Sequence, residues 1–349
     1  MSAPRFDSKS GFPARIFALL LCWLRPIFRR LPPQPRKILI IRPDRRVGNQ
    51  VITSCLVHAL STQRPEIEVH YLAPEGRQDL LEGLPGLTKV HVLPRRPAAN
   101  ILALLSLIRS LRAERFDLAI DASHWHSFSL TSALLSRLVG ARWSIGHARP
   151  GASALLDQRV EVPHDGDWPA ELSVKLSLLS PLAIESQTAQ TNLPEGPGEG
   201  AATRWWAEHA SGPGRVLLWP STRKASTQVP GSLWPHLLDQ LPLPAQCTVA
   251  VGWGPGEEPM AKQLLMALQG AGFSAALLPD TSISELAHFM RQADVVVSGD
   301  TGPMHVAGAC AAAVFAIFRN DDGARWLPRR SSNRGFVLLG GGELRELQL

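Results

Sequence analysis

A short polar cluster separates two apolar runs near the carboxyl end of the chain. Residues 298–303, SGDTGP, follow the run DVVV and precede an apparent helix with His305 in its first turn. The free N–H groups and positive dipole end of such a helix can receive a phosphate beside Asp300, Thr301 and Gly302. The simpler alternative is that Asp300 or Thr301 only caps the helix. The four residue types together at these spacings favour a ligand site.

The cluster lies in a chain that alternates strands and helices. In the first half, short apolar runs predict strands at 37–42, 68–72, 89–93, 116–122 and 142–146. Helical spacing of apolar residues predicts helices at 50–63, 99–114, 129–140 and 170–182. Strands separated by helices indicate a parallel sheet that is covered on both faces.

A polar segment rich in proline and glycine, residues 185–200, is predicted to be an exposed linker. The alternation then restarts, with strands predicted at 215–219, 247–252, 274–278, 294–298 and 314–318. The predicted domains are therefore 37–184 and 201–349. We expect an α/β fold of two Rossmann-like, doubly wound domains that face each other across a cleft. Each domain would bind one ligand at the carboxyl ends of its strands.

The cysteine content excludes two kinds of small-protein scaffold. Cys22, Cys55, Cys247 and Cys310 lie far apart in the 349 residues, without a C-x-x-C pair. Neither a zinc site nor a disulfide framework is indicated, and this usage suits a reducing compartment.

The positive charge is concentrated at the amino end. The chain carries a net charge of +6, but residues 1–37 hold eight basic residues against one aspartate. The remainder is nearly neutral, which disfavours nucleic acid as a partner.

The apolar run 16–24 is too short to span a bilayer, which needs ~20 residues. Its flanking arginines predict that residues 1–36 form an arm that contacts an anionic membrane surface. A helix packed on the protein's own body, or a disordered tail, is the alternative.

Several segments together resemble glycosyltransferase family 9, the lipopolysaccharide heptosyltransferases. VVVSGDTGPMHVAGACAAA is similar to the family's D-T-G-x-x-H-x-A-A signature, and VGWGPGEEPMAKQLL is similar to its W-G-x-x-x-E-E segment. KILIIRPDRRVGNQVITSCLVHAL resembles the family's opening strand, glycine turn and first helix. The likeness covers roughly residues 37–330.

The resemblance implies a GT-B fold and an inverting glycosyltransferase. Its donor would be a nucleotide sugar, ADP-heptose above all, and its acceptor a lipopolysaccharide core or another glycolipid. Such an enzyme would need no cofactor and no metal. It would work in the cytoplasm, as a peripheral protein on the inner face of the bacterial inner membrane.

The resemblance also assigns donor-binding roles. Glu257 matches the glutamate that binds the ribose hydroxyls, and Thr281 falls where the family frames the adenine. Asp300, Thr301 and Gly302 match residues beside the donor sugar and diphosphate, with His305 in the same helix turn.

The loop 220–224 departs from the family pattern. Ser221, Thr222, Arg223 and Lys224 cluster early in it, and no basic residue lies just before Trp234. A leaving diphosphate needs positive charge and hydrogen-bond donors. Arg223 or Lys224 can supply the charge, and the sequence does not choose between them. A solvated loop charge is the alternative.

A second departure concerns the general base. The family typically has aspartate after the glycine of RRVGNQV, whereas this chain has Asn49, and an amide cannot act as a base. Asp44 on the same loop is the first substitute and Asp121 the second, unless the acceptor brings its own base. Asn49 would orient the acceptor hydroxyl, cap a helix beginning at Gln50, or do both.

Two histidines, His124 and His126, are predicted to lie on a loop at a strand's carboxyl end. They are candidates for acceptor contact, and ordinary surface histidines are an equal alternative.

Two other functions stay open: a weakly active or non-catalytic sugar-nucleotide-binding protein, and a sugar-nucleotide epimerase of related architecture. A dinucleotide oxidoreductase is disfavoured, because no G-x-G-x-x-G follows the first strand.

Overall fold

A computed structural model describes residues 34–96, 99–127, 129–149, 155–162, 169–184, 190–196, 198–223, 225–310 and 313–347. The chain divides into two compact units, residues 1–191 and 192–349, and this division falls within the predicted linker. Most of the predicted membrane arm lies outside the described residues. Among the described helices, none has the length and apolar character to cross a membrane.

The first unit is built on a parallel sheet. Its described strands are β1 (Lys37–Ile41), β2 (Glu68–Pro74), β3 (Leu87–Leu93), β4 (Leu118–Asp121), β5 (Trp143–His147) and β6 (Gln158–Val160). Their order is β3-β2-β1-β4-β5-β6, and every pair is parallel. The sequence predicted all of these except β6, a short edge strand.

Helices connect these strands at α1 (Val47–Gln63), α2 (Ile101–Ala113), α3 (Leu130–Leu138) and α4 (Glu171–Ser177), with 3₁₀ turns at Gln78–Leu80 and Ser180–Leu182. Local capping fixes two of their starts. Asn100 accepts a hydrogen bond from the Ala103 amide, and Ser129 accepts one from the Ser132 amide. Leu39, Ile41 and Phe116 belong to the apolar core between the sheet and these helices.

The second unit has a mostly parallel sheet. Its described strands are β7 (Gly214–Trp219), β8 (Cys247–Val251), β9 (Ser274–Leu277), β10 (Val295–Gly299), β11 (Ala313–Phe318), β12 (Arg334–Leu338) and β13 (Leu344–Glu346). Their order is β13-β12-β11-β10-β7-β8-β9, and only the β12–β13 pair is antiparallel among these strands. The sequence did not predict β12 or β13.

The helices of this unit are α5 (Glu199–His209), α6 (Trp234–Gln240), α7 (Glu258–Gly270), α8 (Ile283–Arg291) and α9 (Gly302–Ala309), with 3₁₀ turns at Ala225–Thr227, Gly231–Leu233 and Asp321–Arg325. Ser282 and Glu285 form a reciprocal capping box at the start of α8. Trp234 is fully buried against β-strand residues such as Val249 and Val297.

Both sheets share one topological feature. In each, the order reverses between the first strand and the fourth: β1 beside β4 in the first unit, and β7 beside β10 in the second. The connections leaving such a pair diverge, so a crevice opens at the carboxyl ends of the two strands. These two switch points are where ligands are expected.

Candidate active site

Loops after β1 and β4 bring a polar cluster to the first switch point. The Asn49 Nδ2 atom donates to Asp44 Oδ1 at 2.7 Å and lies 3.1 Å from His124 Nε2. Arg42 Nη2 lies 3.1 Å from the same histidine nitrogen. The structure therefore brings together Asp44, Asn49 and His124, three of the residues singled out in the sequence.

The prediction that Asn49 caps its helix is wrong. Helix α1 begins at Val47, its N-cap is Arg46, and Asn49 lies inside the first turn. The helix starts early because the buried Gln50 side chain fixes the preceding loop, donating to the carbonyl oxygens of Arg42 and Asp44. The Asn49 side chain is therefore directed at Asp44 and His124 instead of at its own backbone.

Asp44 is held as an ionised carboxylate. It pairs with the buried Arg42 guanidinium and accepts hydrogen bonds from the Asn49 side chain and the Arg46 amide. Desolvation alone would raise its pKa, but the Arg42 charge and the Asn49 hydrogen bond outweigh that cost and hold the pKa below its ordinary value. Its side chain keeps 35% exposure, so a substrate can still reach it.

Asp121 is unsuited to act as a base. It is fully buried and forms an ion pair with Arg149 at 2.9 Å. Its other oxygen accepts from the hydroxyls of Ser123 and Ser132 at 2.6 and 2.5 Å. Its acceptor positions are thus occupied by partners that hold the loop after β4 in place.

Sequence reasoning missed Glu171 in α4, a buried carboxylate beneath the two histidines. Its oxygens lie 3.9 Å from His124 Nδ1 and 3.8 Å from His126 Nδ1. One ligand atom from each residue lies within 4.8 Å of the others, so the residue types fit a metal site. The available signal in the sequence was a glutamate four residues before a lysine, Lys175, in an otherwise mostly apolar helix.

The tautomer of His124 argues against metal binding there. Its Nε2 atom faces two N–H donors, Asn49 and Arg42, so Nε2 accepts and the ring proton sits on Nδ1. A protonated Nδ1 has no lone pair to offer a metal. Burial lowers the pKa of His124 to about 4, against the opposing effect of Glu171, so the ring is neutral at physiological pH.

A second group with metal-ligand residue types lies elsewhere on the first sheet. His70 Nδ1 and His91 Nε2 are 2.9 Å apart, near Glu114. Lys37 and Lys89 each form an ion pair with Glu114, at 2.9 and 2.8 Å. These two positive charges oppose a cation at that carboxylate, and the group is better described as a hydrogen-bonded packing contact.

A buried lysine supports the loop after β4 from below. Lys175 Nζ donates to the Ser123 carbonyl at 2.7 Å, and the side chain is about 1% exposed. Desolvation, reinforced by the Arg42 charge, lowers the pKa of Lys175 to about 7. The Lys175 amine therefore changes its protonation state near neutral pH.

Loops after β7 and β8 bring Ser221 and Glu257, two of the predicted donor-binding residues, into contact. Ser221, after β7, donates to Glu257 Oε2 at 2.5 Å, and the Gly254 amide donates to the same oxygen at 2.9 Å. Glu257 is the N-cap residue of α7, but its side chain does not cap the helix. The carboxylate is thus positioned by neighbouring loops, which leaves Oε1 outside these contacts.

The loops after β7 and β10 are in direct contact. A Cβ on Gly299 would lie 2.7 Å from the Thr222 methyl group, so only glycine allows this approach. Gln228 fixes Thr222 by accepting from its amide at 2.8 Å, and it also donates to the Pro220 carbonyl at 2.9 Å. Ser221 and Thr222 are therefore placed next to the strand that leads to Asp300.

The segment after β10 has the expected helix start. Thr301 is the N-cap residue of α9 by position, but its side chain makes no capping hydrogen bond. The alternative that Thr301 only caps the helix is therefore not supported. His305 is 7% exposed, and its ring packs edge-on against Trp326, with centroids 6.4 Å apart. Packing thus accounts for most of the His305 surface.

The remaining donor candidates are less tightly defined. Thr281 follows β9 and is partly exposed. The Trp253 indole donates to the Leu278 carbonyl at 2.9 Å, which ties the loop after β8 to the one holding Thr281. Arg223 is exposed, and Lys224 lies outside the described residues.

Two doubly wound α/β units with polar loops at each switch point give the chain the architecture of the GT-B class. The sequence profile of glycosyltransferase family 9 (heptosyltransferase) matches residues 104–345. This chain belongs to that family. It is 23% identical over 291 residues to lipopolysaccharide heptosyltransferase 3 of Escherichia coli, a match that covers 80% of this chain and 83% of the relative.

Solved structures confirm the fold class. A family 9 glycosyl transferase from Veillonella parvula superposes with a TM-score of 0.72 at 14% identity, covering 86% of each chain. The Escherichia coli ADP-heptose lipopolysaccharide heptosyltransferase II gives 0.65 at 20% identity, covering 88% of this chain and 92% of its own. An Escherichia coli heptosyltransferase solved with ADP gives 0.63 at 17% identity, covering 89% and 93%.

Proposed function

We propose that this glycosyltransferase moves a heptose, or a related sugar, from ADP-heptose to a lipopolysaccharide core acceptor. The observation that carries the proposal is the contact between the loops after β7, β8 and β10, where Ser221 and the Gly254 amide orient Glu257 and the Thr301 side chain does not cap the N-terminus of α9. A carboxylate accepts hydrogen bonds from ribose hydroxyls, and a helix N-terminus binds a diphosphate. The relatives support the choice of sugar, since one is named for ADP-heptose and another was solved with ADP.

In this proposal the first switch point binds the acceptor and removes its proton. An acceptor hydroxyl attacks the anomeric carbon from the face opposite the nucleotide, the new C–O bond forms, and ADP leaves with the electrons of the broken bond. Asp44 takes the hydroxyl proton, because it is ionised and partly exposed. Arg42 and Asn49 hold its carboxylate in place.

Asn49 itself favours a second candidate, a weakly active or non-catalytic family member. The amide stands where the family's aspartate is expected, and the Arg42 pairing makes Asp44 a weaker base than a free carboxylate. Losing a general base typically costs ~10²–10⁴ in rate. The two candidates therefore differ in turnover and agree on donor binding.

A transfer assay separates the candidates. The full chain is incubated with ADP-heptose and a truncated lipopolysaccharide acceptor, and both transferred sugar and released ADP are measured. Transfer above the rate of an Asp44→Asn variant supports the enzyme, and the product's anomeric configuration tests inversion. Donor binding without transfer supports the binding protein. Stronger thermal stabilisation by UDP- or GDP-sugars than by ADP-sugars would contradict the proposed donor.

The membrane location belongs to the same proposal. A glycolipid acceptor is presented at a membrane, and the basic, apolar residues 12–30 suit an anionic surface. Deleting residues 1–36 should then weaken binding to anionic vesicles while the affinity for ADP stays unchanged. Undiminished vesicle binding after the deletion would assign the arm another role.

A further inference from the structure

The first sheet carries a row of arginines along its carboxyl edge. Each loop that leaves β1, β2 or β3 at this edge contributes to it: Arg45 and Arg46 after β1, Arg77 after β2, and Arg95 and Arg96 after β3. Because the three strands are parallel neighbours about 4.8 Å apart, their loops lie side by side.

Two of these arginines lie close together. Arg77 Nε donates to the Arg45 carbonyl at 2.8 Å. The Arg45 guanidinium lies against the loop that holds Arg77: its Nη2 atom is 3.9 Å from the position that a Cβ on Gly76 would occupy. Burial and the neighbouring Arg45 charge lower the pKa of Arg77. Like charges held together in this way attract an anion.

The acidic groups of these loops neutralise only part of the charge. Asp44 pairs with the buried Arg42, and Glu75 accepts from the backbone amide of Arg95 at 2.8 Å. Asp79, in the turn after Arg77, is exposed. The exposed edge therefore keeps an excess of positive charge.

An apolar surface adjoins the arginines. Ile101, Leu102 and Leu105, in the first turns of α2, are 55%, 77% and 55% exposed. The opposite side of the helix packs on the core through Leu104 and Leu107. Elsewhere in the described residues, only Met266 and Leu339 are exposed large apolar side chains, and both belong to the second unit. Three such residues within five positions form an exposed apolar patch, and such patches mark interaction surfaces.

Topology places both features beside the acceptor site. Arg95 and Arg96 follow the end of β3 at Leu93 and lie at the carboxyl edge, and Asp44 lies at the same edge after β1. Strand β3 is two positions from β1 in the sheet, about 10 Å away.

We propose that this edge, comprising Arg45, Arg46, Arg77, Arg95, Arg96 and the first turns of α2, docks on a membrane surface rich in anionic lipids. The arginines bind headgroup phosphates, and Ile101, Leu102 and Leu105 insert among the acyl chains just below them. Docking brings the carboxyl edge with Asp44 to the bilayer, where a glycolipid acceptor is held. The inference extends the proposed acceptor chemistry, but vesicle binding is read without any sugar transfer, so either idea can fail alone.

Hydrogen exchange on the full chain gives a local readout. We expect vesicles of phosphatidylglycerol and phosphatidylethanolamine to protect peptides covering residues 94–109, and not those covering 258–270. Phosphatidylcholine vesicles should give no protection. Because protection is read peptide by peptide, binding through residues 12–30 does not count towards the result. Equal protection by free glycerol phosphate would indicate a small-anion site and overturn the membrane proposal.

Apolar variants test insertion. Leu102→Ser/Leu105→Ser should lower the partition coefficient onto anionic vesicles by about tenfold, because two side chains lose their apolar burial. Met266→Ser, an equally exposed apolar position in the second unit, is the matched control and should leave binding unchanged. If wild type is a dimer that the double variant dissociates, the face is a protein interface and the proposal is overturned.

Charge variants test the headgroup contact. Arg45→Gln/Arg77→Gln should weaken vesicle binding by about fivefold per arginine, with a smaller effect at high salt. The exposed pair Arg204→Gln/Arg329→Gln in the second unit is the control of equal charge. Equal losses for the two pairs would mean that only net charge matters, which contradicts a defined docking edge.

Discussion

Replacing Asn49 by aspartate tests the arrangement around Asp44. In the native protein the Asn49 amide donates to Asp44 Oδ1 at 2.7 Å. The variant puts a second carboxylate at that distance, and two unit charges there repel by about 6 kcal/mol at an effective dielectric constant of about 20. One proton shared between the oxygens relieves the repulsion, so one apparent pKa of the pair rises by several units.

The cost of that proton limits the loss of stability. Holding a carboxyl with an ordinary pKa near 4 protonated at pH 7 costs about 4 kcal/mol. The Asp44 side chain is about one-third exposed, so solvent screening reduces this cost. We therefore expect Asn49→Asp to lower the free energy of unfolding by about 2–3 kcal/mol at pH 7. The folded variant binds the extra proton, so its deficit should be greatest above the raised pKa and shrink as the pH falls through it.

Urea denaturation of wild type and variant between pH 4.5 and 8.5 measures the deficit. Asn49→Ala loses the hydrogen bonds without adding charge, so its deficit should not change with pH in the same way. The exchanged pair Asp44→Asn/Asn49→Asp restores one acid facing one amide and should recover most of the stability at pH 8. A pH-independent Asn49→Asp deficit would refute the predicted contact, and transfer by Asp44→Asn at the wild-type rate would refute Asp44 as the native base.

Three further outcomes are expected. Glu257→Ala should weaken ADP binding by roughly 1–3 kcal/mol by calorimetry, with Glu257→Gln intermediate; unchanged affinity in both would remove Glu257 from the donor site. In the folded protein the pKa of Lys175 is lowered to about 7, so above pH 7 the unfolded chain binds more protons than the folded one. Between pH 7 and 9 the free energy of unfolding of the wild type should therefore rise with pH, by up to about 1.4 kcal/mol per pH unit more than that of Lys175→Met. Parallel pH curves for the two proteins would contradict the lowered pKa. Gly299→Ala places a methyl group 2.7 Å from the Thr222 side chain and should cost about 1–3 kcal/mol while also weakening ADP binding, whereas Gly231→Ala, with open space around it, is the neutral control for this overlap.

The strands were the most predictable part of the fold. Buried parallel strands are continuous apolar runs, and KILII and VVVSG need no tertiary context to be identified. The missed strands have weaker patterns. Strand β6 is a three-residue edge strand. Strands β12 and β13 come after residues 314–318, the last apolar run of the alternating strand and helix pattern.

The site was predictable only in part, because its partners come from distant positions. The loops after β1 and β10 carry their chemistry in short motifs, so Asp44, Asn49 and Asp300 were found in the sequence. Glu171 was missed because it meets the histidines only after the chain has added β5 and β6. The early start of α1 was missed for a related reason, since it depends on buried contacts of Gln50 with the preceding loop.

The shared strand order has a consequence for engineering. In each unit the strands fill the core, and the candidate chemistry lies on loops beyond their ends. A new donor preference therefore calls for exchanging loops, such as 220–223, 253–257 and 278–281, while the apolar strands are left unchanged. The loops 253–257 and 278–281 lead into helices α7 and α8 within a few residues, so grafts from relatives with this strand order would leave the strands in register. Under the proposed function, the two units can be altered as separate modules, one for the sugar that is given and one for the molecule that receives it.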